Sequence, residues 1–161
     1  MQILRKTMTR PDLWNLDLTG KTIVIIGRPA SGKTTIGNAL SARTGTRIIH
    51  TDEYIQHGNT EGLYVLLADL AGDTIEPVII EGVMGYRLLR KGVEMDCFYP
   101  DVVIELEVSD EQVERVYKEQ RTEKRSGNLP AFNKGLQTIL KEYVEMPNPR
   151  PPVWYKVKNE F

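Results

Sequence analysis

The segment from Gly27 to Thr34 combines residue types that are suited to holding phosphate groups. It reads Gly-Arg-Pro-Ala-Ser-Gly-Lys-Thr and fits the pattern G-x-x-x-x-G-K-[ST] in full. Successive backbone N–H groups can surround an anion only where side chains do not intrude, and Gly27 and Gly32 permit the tight turn and the close approach. An apolar run precedes the segment and a helix-like pattern follows it, as this motif requires. The sequence therefore predicts a loop that binds the phosphates of a nucleotide, with a chance Gly/Ser turn as the alternative.

Within this phosphate loop, individual side chains have expected roles. Lys33 supplies a mobile positive charge for the β- and γ-phosphates, so we expect it to act in both binding and catalysis. The Thr34 hydroxyl is placed to bind Mg²⁺. For Arg28, the alternative to a phosphate contact is a side chain that points outward. Together these residues predict ATP and Mg²⁺ as cofactors, with nucleotide contacts from Gly27, Arg28, Pro29, Ala30, Ser31, Gly32, Lys33, Thr34 and Thr35.

Two acidic residues follow apolar runs that read as strands. Asp52 lies in "IIHTDEY", and a carboxylate there could accept the proton of an attacking hydroxyl or hold that hydroxyl in line with the γ-phosphate. The alternative for Asp52 is a simple helix N-cap. Glu81 ends "PVIIEG", where burying an unpaired carboxylate would be costly. We therefore predict that Asp52 acts in catalysis and substrate contact, and that Glu81 holds a water on Mg²⁺ or binds a substrate hydroxyl.

Other polar residues near these positions allow a functional and a structural interpretation. Tyr54 could stack on a substrate or simply pack, and Arg87 could contact the substrate or lie on a surface helix. We expect His50 to be hydrogen-bonded locally, without a role in catalysis. Glu105 and Glu107 alternate within "VVIELEV", and we expect them to face a strand edge or solvent.

The length and composition indicate one ordinary globular domain. The chain has 161 residues, which suits a single domain over residues 1–161, and its formal net charge of −1 favours neither nucleic acid nor membrane as a partner. The single cysteine, Cys97, cannot form an intramolecular disulfide. No stretch approaches the ~20 apolar residues of a membrane span, and the N-terminus lacks the apolar core of a signal peptide. We expect a cytoplasmic protein, and the sequence does not indicate its oligomeric state.

Short apolar runs alternate with helical patterns along the chain. This alternation predicts right-handed crossovers and a parallel sheet that is covered on both faces. Residues 1–20 form an N-terminal arm that Trp14 and Leu16 would pack onto the domain. The predicted strands are Thr22–Ile26, Arg47–His50, Val78–Ile80, Val102–Leu106 and residues 153–157, and the predicted helices are Gly32–Arg43, Gly62–Ala71, residues 85–91, Asp110–Arg125 and Ala131–Glu145.

Over about residues 22–128 the chain resembles the small P-loop kinases, in particular the uridine kinase-like and nicotinamide riboside kinase-like group. The matching parts are "GRPASGKTT", "IIHTDEYI", "VIIEG" and an arginine-bearing helix after the fourth strand, and the first of these with "TDEY" is also similar to polynucleotide kinases. The resemblance implies a three-layer α/β fold with five parallel strands in the order 2-3-1-4-5, and a catalytic Asp52. It also implies a lid at about residues 110–130, in which Arg121 and Arg125 stabilise charge during phosphoryl transfer. The alternative for this helix is a solvated charged face.

The sequence thus predicts an ATP-dependent kinase that phosphorylates a hydroxyl of a small molecule, such as a nucleoside. A guanine-specific switch is disfavoured because the chain has no N-K-x-D signature. Three alternatives stay open at this point: a nucleoside monophosphate kinase, a kinase of a hydroxyl on nucleic acid, and a nucleotide-sensing module without an acceptor. The near-neutral charge disfavours the second of these, a kinase of a hydroxyl on nucleic acid.

Overall fold

A six-stranded, fully parallel β-sheet forms the centre of the molecule in a computed structural model that describes residues 3–29, 31–72, 76–120 and 129–159. Its strand order is β1-β6-β5-β2-β4-β3. The strands are β1 (Arg5–Thr9), β2 (Ile23–Ile26), β3 (Arg47–His50), β4 (Val78–Glu81), β5 (Val102–Glu107) and β6 (Val153–Lys158). The central strands β2, β4 and β5 are almost wholly buried, which explains why they read as continuous apolar runs without polar alternation.

Helices cover both faces of this sheet. One apolar layer is formed with the help of α1 and α2, and the other with α3, α4 and α6, so the fold has three layers. None of the helices in the described part of the chain has the length and apolarity to cross a membrane. The helices are α1 (Arg10–Trp14), α2 (Lys33–Thr44), α3 (Asn59–Gly72), α4 (Gly85–Glu94), α5 (Asp110–Gln120) and α6 (Leu129–Glu145), and a 3₁₀ segment spans Thr51–His57.

The prediction of five strands is wrong, because the sheet has a sixth strand. The five predicted strands correspond to β2 to β6 and do have the predicted relative order, read as β3-β4-β2-β5-β6. The additional strand, β1, pairs in parallel with β6 at the edge of the sheet. Its sequence, Arg-Lys-Thr-Met-Thr, is mostly exposed and lacks the buried apolar run that identified the other strands. An edge strand needs no such run, so the sequence pattern could not reveal it.

The N-terminal segment is part of the core and not a loosely attached arm. Leu13 of α1 is fully buried and Leu18 nearly so, and both pack in the layer that contains α2. Trp14 and Leu16 pack against the same layer, as predicted, and the Arg43 guanidinium lies 4.6 Å from the centre of the Trp14 ring. Because β1 occupies the outer side of β6, the last strand of the chain is bonded on both sides.

We predict that Leu13→Ala lowers the free energy of unfolding by about 2–5 kcal/mol, because it leaves a cavity under α1. Urea unfolding of the full chain measures this change. The matched control is Leu4→Ala, since Leu4 is 79% exposed and its truncation should change stability by less than about 0.5 kcal/mol. Equal, small effects of the two substitutions would contradict the packing of the N-terminal segment.

Candidate active site

The carboxyl ends of β2, β4 and β3 place three residues in one row across the sheet. Ile25 of β2 pairs with Glu81 of β4, and Glu81 pairs with His50 of β3. Ligands of open α/β sheets bind at this edge, in the crevice where the strand order reverses. The phosphate loop begins at Gly27, directly after Ile26 at the carboxyl end of β2.

The phosphate loop has the geometry of an anion cradle. A Cβ on Gly27 would overlap the Ser31 hydroxyl, so the loop can close this tightly only with glycine. Gly32 precedes α2 with a φ of 91°, in the left-handed region, and as a glycine it places no side chain over the start of the helix. The N-terminal end of a helix is a favourable place for an anion. Ala30 lies outside the described residues.

The Lys33 side chain folds over the same loop. Its Nζ donates to the Arg28 carbonyl at 2.8 Å and to the Ser31 hydroxyl at 3.3 Å, and the residue is only 7% exposed. The ammonium group therefore lies against the loop backbone, where a phosphate in the cradle would attract it.

The Arg28 guanidinium is engaged away from this cradle. It donates to the Asp110 carboxylate at 2.5 Å and to the Val108 carbonyl at 2.6 Å, at the turn from β5 into α5. This arrangement agrees with the outward-pointing alternative for the side chain. A contact between Arg28 and the nucleotide stays a prediction.

A chain of hydrogen bonds joins the start of α2 to β4 and β3. The Thr34 hydroxyl donates to Glu81 Oε1 at 3.3 Å, and His50 Nδ1 lies 2.6 Å from the same oxygen. Since a carboxylate can only accept hydrogen bonds, this contact is a hydrogen bond when His50 Nδ1 carries the proton. Glu81 is 3% exposed, so these donors meet the cost of burying it. The second carboxylate oxygen has no partner among the described residues.

The contact of His50 with Glu81 was not expected from the sequence, which indicated only local hydrogen bonds for His50. The same signal that identified Glu81, a polar residue at the end of a buried strand, applies to His50 as well. Only the sheet register shows that the two residues face each other across β3 and β4.

Asp52 lies two residues after His50, just beyond the end of β3. It lies in the first turn of the 3₁₀ segment, is exposed, and has no hydrogen bond or ion pair with any described residue. The preceding residue, Thr51, is fully buried against Gly82, where a Cβ would overlap the Thr51 hydroxyl. Gly82 has a φ of 139°, so glycine is needed there on both counts. The close contact of these two strand ends fixes the point from which Asp52 projects.

The remaining predicted site residues lie around this crevice or outside the described chain. Tyr54 is half-buried and donates to the Asp69 carboxylate at 2.8 Å, and burial together with that carboxylate raises the pKa of Tyr54 to about 12. This contact favours the packing interpretation of Tyr54. Arg87 lies in the first turn of α4, half-buried and without a partner among the described residues. The lid arginines Arg121 and Arg125 lie outside the described residues.

Glu105 does not face solvent, which corrects our expectation for this residue. It is 7% exposed on β5 and accepts a hydrogen bond from Trp154 Nε1 at 3.0 Å. The burial of Tyr86 and, to a smaller extent, the charge of Glu105 raise the pKa of the Tyr86 hydroxyl. Glu107, at the end of the same strand, is exposed as expected.

The residues at this edge fit a magnesium–nucleotide complex. Thr34 and Glu81 bring two oxygen atoms within 3.3 Å of each other at the mouth of the cradle. Magnesium in proteins commonly takes one or two such oxygens and completes its shell with phosphate oxygens and water. In the described ranges no three His, Cys, Asp or Glu side chains cluster as a metal site.

No family model matches the chain. Among curated proteins, the shikimate kinase of Thermobifida fusca (strain YX) is 32% identical over 83 residues. The matched residues make up 50% of this chain and 41% of that enzyme, so the chain spans about two fifths of the length of this relative.

Solved structures of kinases share the fold. The shikimate kinase from Acinetobacter baumannii, in complex with shikimate, superposes with a TM-score of 0.55 and 16% identity over 88% of this chain and 84% of that one. The deoxyadenosine kinase from M. mycoides superposes with a TM-score of 0.50 and 17% identity over 84% and 88% of the two chains. At such identities the likeness is one of fold: this chain has the three-layer α/β fold of these kinases.

We predict that His50→Ala destabilises the protein more than His50→Asn, by about 1 kcal/mol in the free energy of unfolding. The alanine leaves the buried Glu81 carboxylate without its shorter hydrogen bond, whereas the asparagine amide can reach the position of His50 Nδ1 and donate. Urea unfolding at neutral pH measures both variants. Equal stabilities would mean that the hydrogen bond to Glu81 contributes nothing.

Proposed function

We propose that this protein is an ATP-dependent kinase that transfers the γ-phosphoryl group to a hydroxyl of a small molecule. The observation that carries the proposal is the hydrogen bond between Thr34 and Glu81. It joins the first turn of the phosphate-loop helix to the strand end beside which Asp52 projects, so phosphate and acceptor would meet at one edge of the sheet. The fold shared with solved kinases and the partial identity to a shikimate kinase support the same activity.

In this proposal each part of the site has one task. The backbone amides of the phosphate loop and the start of α2 bind the phosphates, and Lys33 moves from its loop contacts to the β- and γ-phosphates. Thr34, assisted by Glu81, would hold Mg²⁺, which neutralises phosphate charge when it is bound. Asp52 accepts the proton of the acceptor hydroxyl or holds that hydroxyl in line. The predicted lid arginines, Arg121 and Arg125, would cover the transfer.

A nucleoside stays our expected acceptor, consistent with the predicted uridine kinase-like group and with the fold of a deoxyadenosine kinase. A second candidate is a small acceptor that carries an anionic group, such as a hydroxy acid or a nucleoside monophosphate. Arg87 favours it, because it lies in the first turn of α4, shortly after the end of β4, and has no partner among the described residues. The match to shikimate kinase, an enzyme named for a hydroxylated carboxylic acid, points to the same class.

Two other functions that the sequence left open have less support. A kinase of nucleic-acid hydroxyls would need a basic groove, and the net charge of −1 gives no sign of one. A nucleotide-sensing module would bind nucleotide without transferring phosphate, and it leaves the exposed carboxylate of Asp52 without a role. We continue to expect a cytoplasmic protein.

We predict that Asp52→Asn lowers the rate of phosphoryl transfer by roughly 10²–10⁴-fold, because the amide cannot accept the hydroxyl proton. The dissociation constant for ATP should stay within about twofold, since Asp52 does not belong to the phosphate loop. Transfer of label from γ-labelled ATP and calorimetric titration measure the two quantities. The matched control is Glu53→Gln in the same 3₁₀ segment, which should leave the transfer rate unchanged. Full transfer by Asp52→Asn would remove this residue from the mechanism.

The acceptor class is tested with a panel of nucleosides, nucleoside monophosphates, hydroxy acids, sugars and oligonucleotides. We expect label to move to one class alone. If that class is anionic, Arg87→Ala should raise the KM for the acceptor roughly tenfold or more, because a charged hydrogen bond is lost. Label that reaches only water would contradict the proposed kinase and favour a sensing module or an ATPase without an acceptor.

A further inference from the structure

Asn159 directly follows β6 and contacts the phosphate loop from far along the chain. Its side-chain Nδ2 donates to the Ser31 carbonyl at 2.8 Å, and the residue is 2% exposed. Its own main chain is fixed as well: the N–H donates to the Glu107 carbonyl at 2.9 Å, and the carbonyl accepts from Gln112 Nε2 at 3.3 Å. Asn159 is therefore a rigidly held donor aimed at one peptide group of the loop.

The peptide group that Asn159 holds is the one that carries the Gly32 N–H. In a trans peptide the C=O and N–H bonds point in opposite directions, so fixing the Ser31 carbonyl toward β6 turns the Gly32 N–H away from it. A hydrogen bond to a carbonyl also strengthens the N–H of the same peptide as a donor. Glycine at φ 91° adds little resistance to rotation of this peptide, so an outside contact is needed to hold it.

We infer that Asn159 is a positioning residue for the phosphate loop, which aims the Gly32 N–H at the bound phosphates. The inference rests on the proposed function, since it assumes that the loop binds a nucleotide. It assigns a task to the carboxyl end of β6, which no motif in the sequence marked.

The other contacts of the loop agree with this role. On the side of β4 the start of α2 is held by Thr34 and Glu81, and on the side of β5 the Arg28 guanidinium is held by Asp110 and Val108. Asn159 provides a contact to the backbone of the loop between these two anchors. The pairing of β1 with β6 up to Lys158, the residue before Asn159, keeps that strand end in place.

In the side-chain amide of Asn159, the nitrogen has a hydrogen-bond partner among the described residues and the oxygen does not. Its Oδ1 is buried and has no hydrogen-bond partner among the described residues. An unpaired buried acceptor reduces stability, so a residue that served packing alone would be better replaced by an apolar one. The donor to Ser31 is the feature that the asparagine provides.

The test is calorimetric titration of ATP with Mg²⁺ into the full chain, alongside thermal unfolding without nucleotide. Asn159→Ala should raise the Kd for ATP roughly five- to tenfold, the equivalent of one hydrogen bond. Asn159→Asp keeps the size of the side chain but sets an oxygen against the Ser31 carbonyl, so we expect a rise of roughly tenfold or more. The aspartate variant keeps the test valid if the alanine variant does not fold.

The matched controls are Asn148→Ala and Asn148→Asp. Asn148 also donates its amide, to the Tyr143 hydroxyl at 3.3 Å, but it lies in the turn before β6, away from the phosphate loop. These variants can lower the melting temperature and should leave the Kd for ATP unchanged.

Each outcome decides the inference. A raised Kd for the Asn159 variants, with an unchanged Kd for the Asn148 variants, supports positioning. A lower melting temperature with an unchanged Kd would show that Asn159 is structural only. If the unsubstituted chain does not bind ATP at all, the proposed function fails and this inference fails with it.

Discussion

The proposed site depends on the requirement that several backbone N–H groups converge on one anion. Such a cradle has no hydrophobic interior of its own to hold its shape, and glycine at Gly27 and Gly32 makes it more pliable still. The structure meets this requirement by anchoring the loop to its neighbours. Thr34 is bonded to β4, Arg28 to the turn after β5, and the Ser31 carbonyl to the residue after β6. The rigidity of the loop is therefore a property of the sheet edge as a whole.

Two buried carboxyl groups, Glu81 and Glu105, have different kinds of hydrogen-bond partner. Glu81 is buried but receives hydrogen bonds from His50 and Thr34, and one of its oxygens has no partner among the described residues. Glu105 is equally buried on the next strand but one, yet its partner is the indole of Trp154, from the last strand. The first arrangement faces the phosphate loop, and the second lies among the apolar side chains beneath α4 and α6. Glu81 thus belongs to the candidate site, whereas Glu105 belongs to the core of the same sheet.

Much of the fold followed from pattern alone. The strands β2, β4 and β5 are inner strands, so burial on both faces made them continuous apolar runs. The strand order was expected only from the resemblance to the small P-loop kinases. Strand β1 was not predicted, because an exposed edge strand carries no such apolar run. The helix predicted at residues 85–91 is longer, Gly85–Glu94, because its buried face continues through Gly92 against Phe98. That contact joins segments that the local pattern treats separately.

The sequence by itself predicted a phosphate loop, the parallel sheet and an acidic residue at or just after two strand ends, because each of these patterns depends on neighbours a few residues away. Tertiary structure alone decided which residues meet across strands: His50 with Glu81, Trp154 with Glu105, and Asn159 with Ser31. These pairs are 31, 49 and 128 residues apart. Strand register and strand order set these contacts. A single sequence records neither, because the neighbours of a residue along the chain do not show which distant strand will lie beside it.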